Sequence, residues 1–192
     1  FIKKIRGMFA FALWDSDKKR LILARDRMGK KPLYYLEKNG TLWFCSEIKS
    51  ILGDPLVERK MDLQSLDLYL AFNYIPSPRT IFRDIKKLPP GTMLICEKGQ
   101  TKTEKYWHLD NSIKNSMDEN EYSDHLYELL NESVKIRLIS DVPLGAFLSG
   151  GIDSSIIVGL MAKNSTRPVK TFSIGFTEEE FSELEYARMV AK

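Results

Sequence analysis

Cysteine is scarce in this chain of 192 residues: it has two, Cys45 and Cys96. Two are too few for a disulfide framework, and they lack the spacing of metal ligands. Both lie inside strand-like runs, Leu42–Cys45 and Met93–Cys96, so they read as buried apolar thiols in a reducing compartment. No apolar run is long enough to span a bilayer, so no membrane partner is expected of these residues and a cytoplasmic location is. Excess charge of one sign is also missing, the formal net charge being +3. The basic clusters (Lys3-Lys4 with Arg6, Lys18–Arg20, Lys30-Lys31) are short and separated, which reads as solvated surface and not as a nucleic-acid groove. The only Gly-Lys pair, Gly29-Lys30, has neither the earlier glycine nor the following Ser or Thr of a Walker loop. Internal repeats and low-complexity segments are absent. The chain opens at Phe1 without an initiator Met or signal-peptide pattern and closes in a helical pattern with no stopping Gly or Pro. It is therefore expected to be an excerpt of a longer protein.

What the chain does have is one informative stretch, Val142–Leu160. An apolar run tightens into Ser149-Gly150-Gly151-Ile152-Asp153-Ser154 and resumes with helical spacing. Strand, glycine turn, helix is an order that holds phosphate groups, because a helix start leaves unpaired N–H groups and a partial positive charge. Gly150 and Gly151 let the backbone approach a ligand, and Ser149, Ser154 and Ser155 add hydroxyls. Asp153 would repel a phosphate unless a cation lay between them, and Mg²⁺ bound by one carboxylate plus substrate phosphates resolves this. The competing reading is a glycine turn that merely joins a strand to a helix.

Before that stretch the chain reads mainly as strands. Met8–Trp14 and Leu21–Ala24 form an expected hairpin across a polar turn. Leu33–Leu36 and Leu42–Ser46 flank Asn39-Gly40, the strongest short hairpin signal. Being apolar on both faces, these strands are expected inside a layered fold. Arg25-Asp26 reads as an ion pair or a capped turn. Ser46 is expected to cap a short helix ending at Gly53, and Asp62 a second one through Phe72. Two more strands follow, Thr92–Cys96 and Thr101–Trp107. His108–Asp118 is polar and reads as an interdomain linker, with Ser116–Glu119 as a capping box. The next helix shows Tyr122, Leu126, Leu129, Leu130, Val134 and Leu138 on one face and is expected to end at Asp141–Pro143. His125 lies on it as a surface or half-buried histidine. After the glycine loop come a helix, a strand over Pro168–Phe176 and a final helix from about Ser182. That order is a βαβ unit with a parallel sheet, its ligand expected beyond the strands' carboxyl ends, with Ile174 and Gly175 beside the loop.

The string Ser149–Ser154 resembles the pyrophosphate loop (PP-loop) of the ATP-pyrophosphatase superfamily. With its flanks Arg137–Gly145 and Leu148–Ser155 it is similar to the glutamine-dependent asparagine synthetases. Gly7–Ala12, Arg25-Asp26 with Gly29 and Pro32–Tyr35, Phe44–Glu47 and Leu88–Gly91 resemble the later part of that family's glutaminase domain, in the family's order. The resemblance implies a fold of α/β and α+β parts. Residues 1–110 would be the C-terminal part of a class II glutamine amidotransferase domain with an N-terminal-nucleophile layered fold. Residues 111–118 would be a linker, and residues 119–192 the first βαβ unit of a parallel-sheet ATP-pyrophosphatase domain.

In function, the resemblance implies asparagine biosynthesis by an ATP-dependent ligase acting on aspartate, glutamine and ATP with Mg²⁺; a homodimer is compatible with it. The implied ATP-binding residues are Leu148, Ser149, Gly150, Gly151, Asp153, Ser154 and Ile174, with Asp153 on the metal and Leu148 and Ile174 against the nucleoside. The family's glutaminase uses an N-terminal cysteine as nucleophile. Here the first residue is Phe1, neither cysteine matches that position, and the glutamine-holding motifs match nothing in the chain. The given residues are therefore expected to turn over neither glutamine nor aspartate alone. Two other readings stay open: a paralogue adenylating another carboxylate, such as a β-lactam synthetase or a glycan-assembly amidotransferase, and a non-catalytic nucleotide-binding relic.

Overall fold

A computed structural model describes residues 1–112, 116–178 and 182–192. The chain forms two compact units, residues 1–113 and 114–192.

Unit 1 opens with a single 3-10 turn, Ile2–Lys4, and continues as strands. β1 (Ala10–Asp15) and β2 (Arg20–Arg25) form the expected antiparallel hairpin. β3 (Tyr34–Lys38) and β4 (Thr41–Cys45) form the second, closed by Asn39 and Gly40 at φ 51° and 77°. Both positive φ values fit a two-residue turn whose twist matches that of the strands, which is why Asn-Gly selects it. β5 (Lys86–Lys87) adds to β3, giving a sheet of order β4-β3-β5. β6 (Thr92–Glu97) and β7 (Gln100–Lys105) pair with each other, and β6 pairs with β2, giving the order β1-β2-β6-β7. α1 (Ile48–Leu52) and α2 (Leu63–Phe72) are the two helices of this unit.

Side-chain alternation along β3 and β4 layers these parts. Tyr35 and Leu42 pack on the cluster Leu23, Leu33, Leu88 and Leu94, of which Leu23 and Leu94 belong to the four-stranded sheet. On the opposite face Tyr34, Leu36, Trp43 and Cys45 join Ile51, Val57 and Ile85, with Ile48 and Leu52 of α1. The three-stranded sheet is thus apolar on both faces because it is the middle layer. The same expectation fails for β1. Trp14 is 59% exposed and Leu13 is exposed too, because β1 is an edge strand with its outer positions uncovered. Cys45 and Cys96 are free and half-buried, and burial raises the Cys45 thiol above its ordinary pKa.

Arg25 and Asp26 do not pair. As neighbours in sequence they diverge, and each closes a different loop. The Arg25 guanidinium donates to the carbonyls of Gly29, Lys31 and Leu88, each at 2.7 Å. The Asp26 carboxylate is 1% exposed and accepts four backbone N–H bonds. Oδ1 takes Met28 (3.1 Å) and Lys30 (2.9 Å); Oδ2 takes Lys31 (2.9 Å) and Phe9 (3.3 Å). Burial pushes this carboxyl's pKa up, but the N–H donors of Lys31, Lys30, Phe9 and Met28 outweigh it and hold it below the ordinary value. Gly91 N–H reaches the Asp26 carbonyl, and Tyr106 Oη donates to the Arg25 carbonyl at 2.7 Å. Capped turn was therefore the correct half of the expectation.

Helix ends depart in detail. α1 is preceded by Glu47, not Ser46, and has no side-chain cap. Asp62 does precede α2, but its carboxylate holds Ser65 Oγ (2.7 Å) and Arg79 (2.9 Å) in place of a cap bond.

In unit 2, α3 (Glu119–Lys135) is capped by Asp118 with Glu121, each bonding the other's backbone N–H, and not by Ser116 with Glu119. It ends six residues before Asp141, in a turn at Ile136–Leu138. Of its expected apolar face Val134 is buried, while Tyr122, Leu126 and Leu129 are exposed, as is His125. β8 (Gly145–Phe147), α4 (Ile152–Lys163) and β9 (Lys170–Phe172) form the expected βαβ unit, the strands parallel with Gly145 opposite Lys170 and Phe147 opposite Phe172. α5 (Leu184–Ala191) follows. β9 stops at Phe172, so Ile174 lies beyond the strand and does not end it.

Candidate phosphate-binding loop

β8 ends at Phe147, and the chain turns through Leu148–Gly151 into α4. Leu148 anchors the turn. Its side chain is 2% exposed and packs with Val158 of α4 and Ala187 of α5. Its N–H donates to Phe172 O (2.9 Å), and its carbonyl accepts from Ser173 Oγ (2.6 Å). These bonds continue the parallel register by one step and bring Ser149-Gly150 beside Ile174-Gly175, at the carboxyl ends of both strands. Ligands of open parallel sheets sit at such a place.

The three serines close the loop on itself. Ser149 Oγ and Ser154 Oγ are 2.9 Å apart, and Gly151 N–H donates to Ser149 Oγ at 3.3 Å. Ser149 N–H donates to Ser154 Oγ at 3.3 Å. Ser154 and Ser155 hydroxyls donate to the Gly151 carbonyl at 3.1 and 2.7 Å. Gly151 is the N-cap of α4 and offers no side chain to it, so the N–H groups of Ile152–Ser154 have no helical acceptor. Asp153 stands exposed in this first turn. Ile174 is 75% exposed. Hydrogen bonds thus bring Ser149, Gly151 and Ser154 together, and Ile174 follows Ser173, which bonds Leu148, whereas the Leu148 side chain turns into the core, away from the loop surface.

The two glycines differ. Gly150 has φ +86°, and a Cβ there would lie 2.6 Å from Tyr186 Cβ and 2.7 Å from Ala187 N, so helix α5 rests directly on it. Gly151 is extended, and a Cβ there would meet only Ser149 Oγ, at 3.4 Å. A Cβ at Gly175 would collide with Leu184, again on α5. Sequence reasoning missed α5 as a wall of this loop, and missed Ser173. Its one visible signal is the small pair Ser173 and Gly175 on either side of Ile174. A cavity of about 570 Å³ in unit 2 lies elsewhere, at the other end of the strands among Leu138, Val142, Met161, Asn164 and Val169.

Residues 1–107 match the family model for a glutamine amidotransferase domain, which is more than half of the chain. The chain belongs to the glutamine amidotransferase domain family. Residues 125–192 match a second model, asparagine synthase. The chain is 37% identical over 188 residues to asparagine synthetase [glutamine-hydrolyzing] 1 of Bacillus subtilis, covering 98% of this chain and 29% of that protein. It is 38% identical over 194 residues to a putative asparagine synthetase [glutamine-hydrolyzing] 2 of Methanocaldococcus jannaschii, covering 98% and 37%. An amidase, chry2, of Gibberella zeae is 39% identical over 166 residues, covering 84% of this chain and 24% of that protein. The chain thus spans between about a quarter and two fifths of the length of these relatives. No helix among its described residues is long and apolar enough to cross a membrane.

Proposed function

We propose that the chain is the junction segment of a cytoplasmic, glutamine-dependent asparagine synthetase. Residues 1–110 would end the glutaminase domain, 111–118 form the linker and 119–192 begin the synthetase domain. The observation that carries this reading is the order of the two family matches along one chain that aligns over 98% of its length with a named glutamine-hydrolysing synthetase. A homodimer is compatible with this reading.

In this proposal the β-carboxylate of aspartate attacks the α-phosphorus of ATP. The bond to the bridging oxygen breaks, giving β-aspartyl-AMP and pyrophosphate. Ammonia from glutamine then attacks the β-carbonyl, AMP leaves and asparagine forms. The N–H groups at the start of α4, with Ser149, Gly150, Gly151 and Ser154, hold the pyrophosphate, and the positive end of the helix offsets its growing charge. The core-bound Leu148 fixes the loop, and exposed Ile174 borders the nucleoside. Such catalysis rests on positioning and charge stabilisation and needs no side-chain nucleophile.

The donor set fits Mg²⁺ of the shared kind. Asp153 is an exposed hard-oxygen ligand in the same turn as the phosphate donors, and the described residues hold no group of three or more metal-binding side chains. Bound there with the nucleotide, the cation would neutralise charge on the leaving pyrophosphate. The test is Asp153→Asn in the longer enzyme. Mg²⁺-dependent ATP binding by calorimetry and pyrophosphate release should both fall at least about tenfold while glutamine hydrolysis persists. Unchanged Mg²⁺ dependence would remove Asp153 from the site.

A second reading keeps the same loop but has another carboxylate replace aspartate as acceptor; one relative carries a name other than asparagine synthetase, an amidase. Pyrophosphate release across a panel of carboxylates separates the two, aspartate being the acceptor the first reading requires.

A further inference from the structure

A turn in unit 1 gathers three cations around one cavity. The buried Thr80 hydroxyl sits 2.7 Å from Ile85 O and 3.0 Å from Phe82 O, and it accepts from Phe82 N–H at 3.1 Å. Backbone bonds from Arg83 N–H to Lys60 O and from Asp62 N–H to Ile81 O, both 2.9 Å, tie the turn to the segment before α2. The side chains on this turn are therefore presented by a fixed frame. The cavity is about 330 Å³ and is lined by Arg79, Arg83 and Lys86, with Asp62, Thr80 and Ile85. Arg79 is partly neutralised by Asp62 at 2.9 Å, a carboxylate that also takes the Ser65 hydroxyl. Arg83 and Lys86 have no acidic partner among the described residues. Asp84 lies between them in sequence; its carboxylate is 3.8 Å from Lys38 Nζ, and with Glu37 it lines a neighbouring cavity that Lys86 also borders.

Three cations thus line one cavity with a single carboxylate; Arg83 and Lys86 form no ion pair among the described residues, and Lys86 stands between this cavity and the one holding Glu37 and Asp84. A guanidinium fork and an ammonium on a fixed turn suit a small tetrahedral anion, the fork bonding two oxygens and the ammonium acting as a point charge. We propose that this cavity binds a phosphate-class dianion, either free or as the phosphoryl group of a small metabolite. The site is distinct from the loop at Ser149–Ser154 and does not depend on what that loop binds.

The test is an NMR titration of the whole chain with inorganic phosphate at constant ionic strength, following the amides of Thr80–Lys86 and the Arg83 Nε–H. Saturable shifts with a dissociation constant on the order of 1 mM or tighter are expected. The double variant Arg83→Gln, Lys86→Gln changes two exposed side chains and leaves the Thr80 frame intact; it should weaken binding at least about tenfold, the usual scale for losing a charged hydrogen bond. Arg83→Lys, which keeps the charge but loses the fork, should fall between. A sugar phosphate binding more tightly than phosphate would identify a metabolite as the source; equal affinity would identify the free ion. Absence of saturation, shifts at 80–86 undiminished in the double variant, or shifts confined to Ser149–Ser154 would each overturn the proposal. The last would leave the reading of the nucleotide loop standing.

Discussion

Asp26→Asn is the substitution to which the first unit should be most sensitive. It keeps size and shape but replaces one carboxylate oxygen by an amide NH₂. If the remaining oxygen keeps Met28 and Lys30, those two bonds survive as neutral ones. The NH₂ then faces the N–H groups of Lys31 and Phe9, which are donors themselves. The Lys31 bond, at 2.9 Å, is the larger loss; hydrogen bonds to charged groups contribute about 1.5–3 kcal/mol, and the long Phe9 bond less. Adding the weakening of the two retained bonds gives a destabilisation of about 3 kcal/mol, a large share of the ~5–15 kcal/mol that holds a domain together. Since the chain has two units, hydrogen exchange is a better assay than one global melt. Protection of the Phe9, Met28, Lys30 and Lys31 amides should fall about a hundredfold, 1.4 kcal/mol being one decade. The pH dependence has a definite sign. The folded-state pKa is depressed, so the stabilisation is complete above the unfolded value of 3.8 and is lost as pH falls toward the folded value. The Asn variant should lack that acid-side loss. Protection within about twofold of the parent, or an identical acid profile, would refute this account of the loop, surface changes being within about 0.5 kcal/mol.

Arg25→Lys should also destabilise unit 1, by about 2 kcal/mol, because one ammonium cannot span three separate carbonyls; the urea midpoint measures this. Gly150→Ala should destabilise unit 2 by about 2–3 kcal/mol, since a φ of +86° disfavours a Cβ and α5 leaves no room for one. Gly151→Ala should change folding by less than about 1 kcal/mol, its backbone being extended already, and should weaken ATP binding if phosphates approach there; a melt and a nucleotide titration on each variant separate the two effects. Leu148→Ala should cost about 3 kcal/mol by emptying a core position and should lower nucleotide affinity only through the loop's order, as seen by exchange at Ser149 and Gly150.

Much of unit 1 was legible because its strands carry local cues. Asn39-Gly40 specifies its turn chemically, and the double-sided apolarity of Tyr34–Leu36 announces a middle layer. Where the reading failed, competition among nearby groups decided the outcome. Ser116 with Glu119 and Asp118 with Glu121 are overlapping cap patterns of equal spacing, and the structure adopts the second, which carries the more strongly accepting side chain. Asp62 stands at a helix start, yet Ser65 and Arg79 take its carboxylate. Only the latter lies beyond local view. The pairing of Arg25 with Asp26 could have been rejected from sequence alone, because consecutive residues leaving a strand point to opposite sides.

The loop makes the limit of sequence reading sharper. Gly150 and Gly151 are adjacent and chemically identical, and one motif explains both as room for phosphate. Folding separates them through α5, which arrives far later in the chain and packs its backbone onto Gly150 alone. A glycine required by its own protein's packing says nothing about a ligand. A Cβ at Gly151 would meet only Ser149 Oγ, at an ordinary contact distance of 3.4 Å, and its conformation is one any residue can adopt, so folding makes no demand for glycine there. On the proposed function, a phosphate seated on the first turn of α4 would be the group that a Cβ at position 151 obstructs. Within the motif, Gly151→Ala is therefore the substitution that tests ligand binding with least disturbance of the fold, whereas Gly150→Ala tests packing against α5.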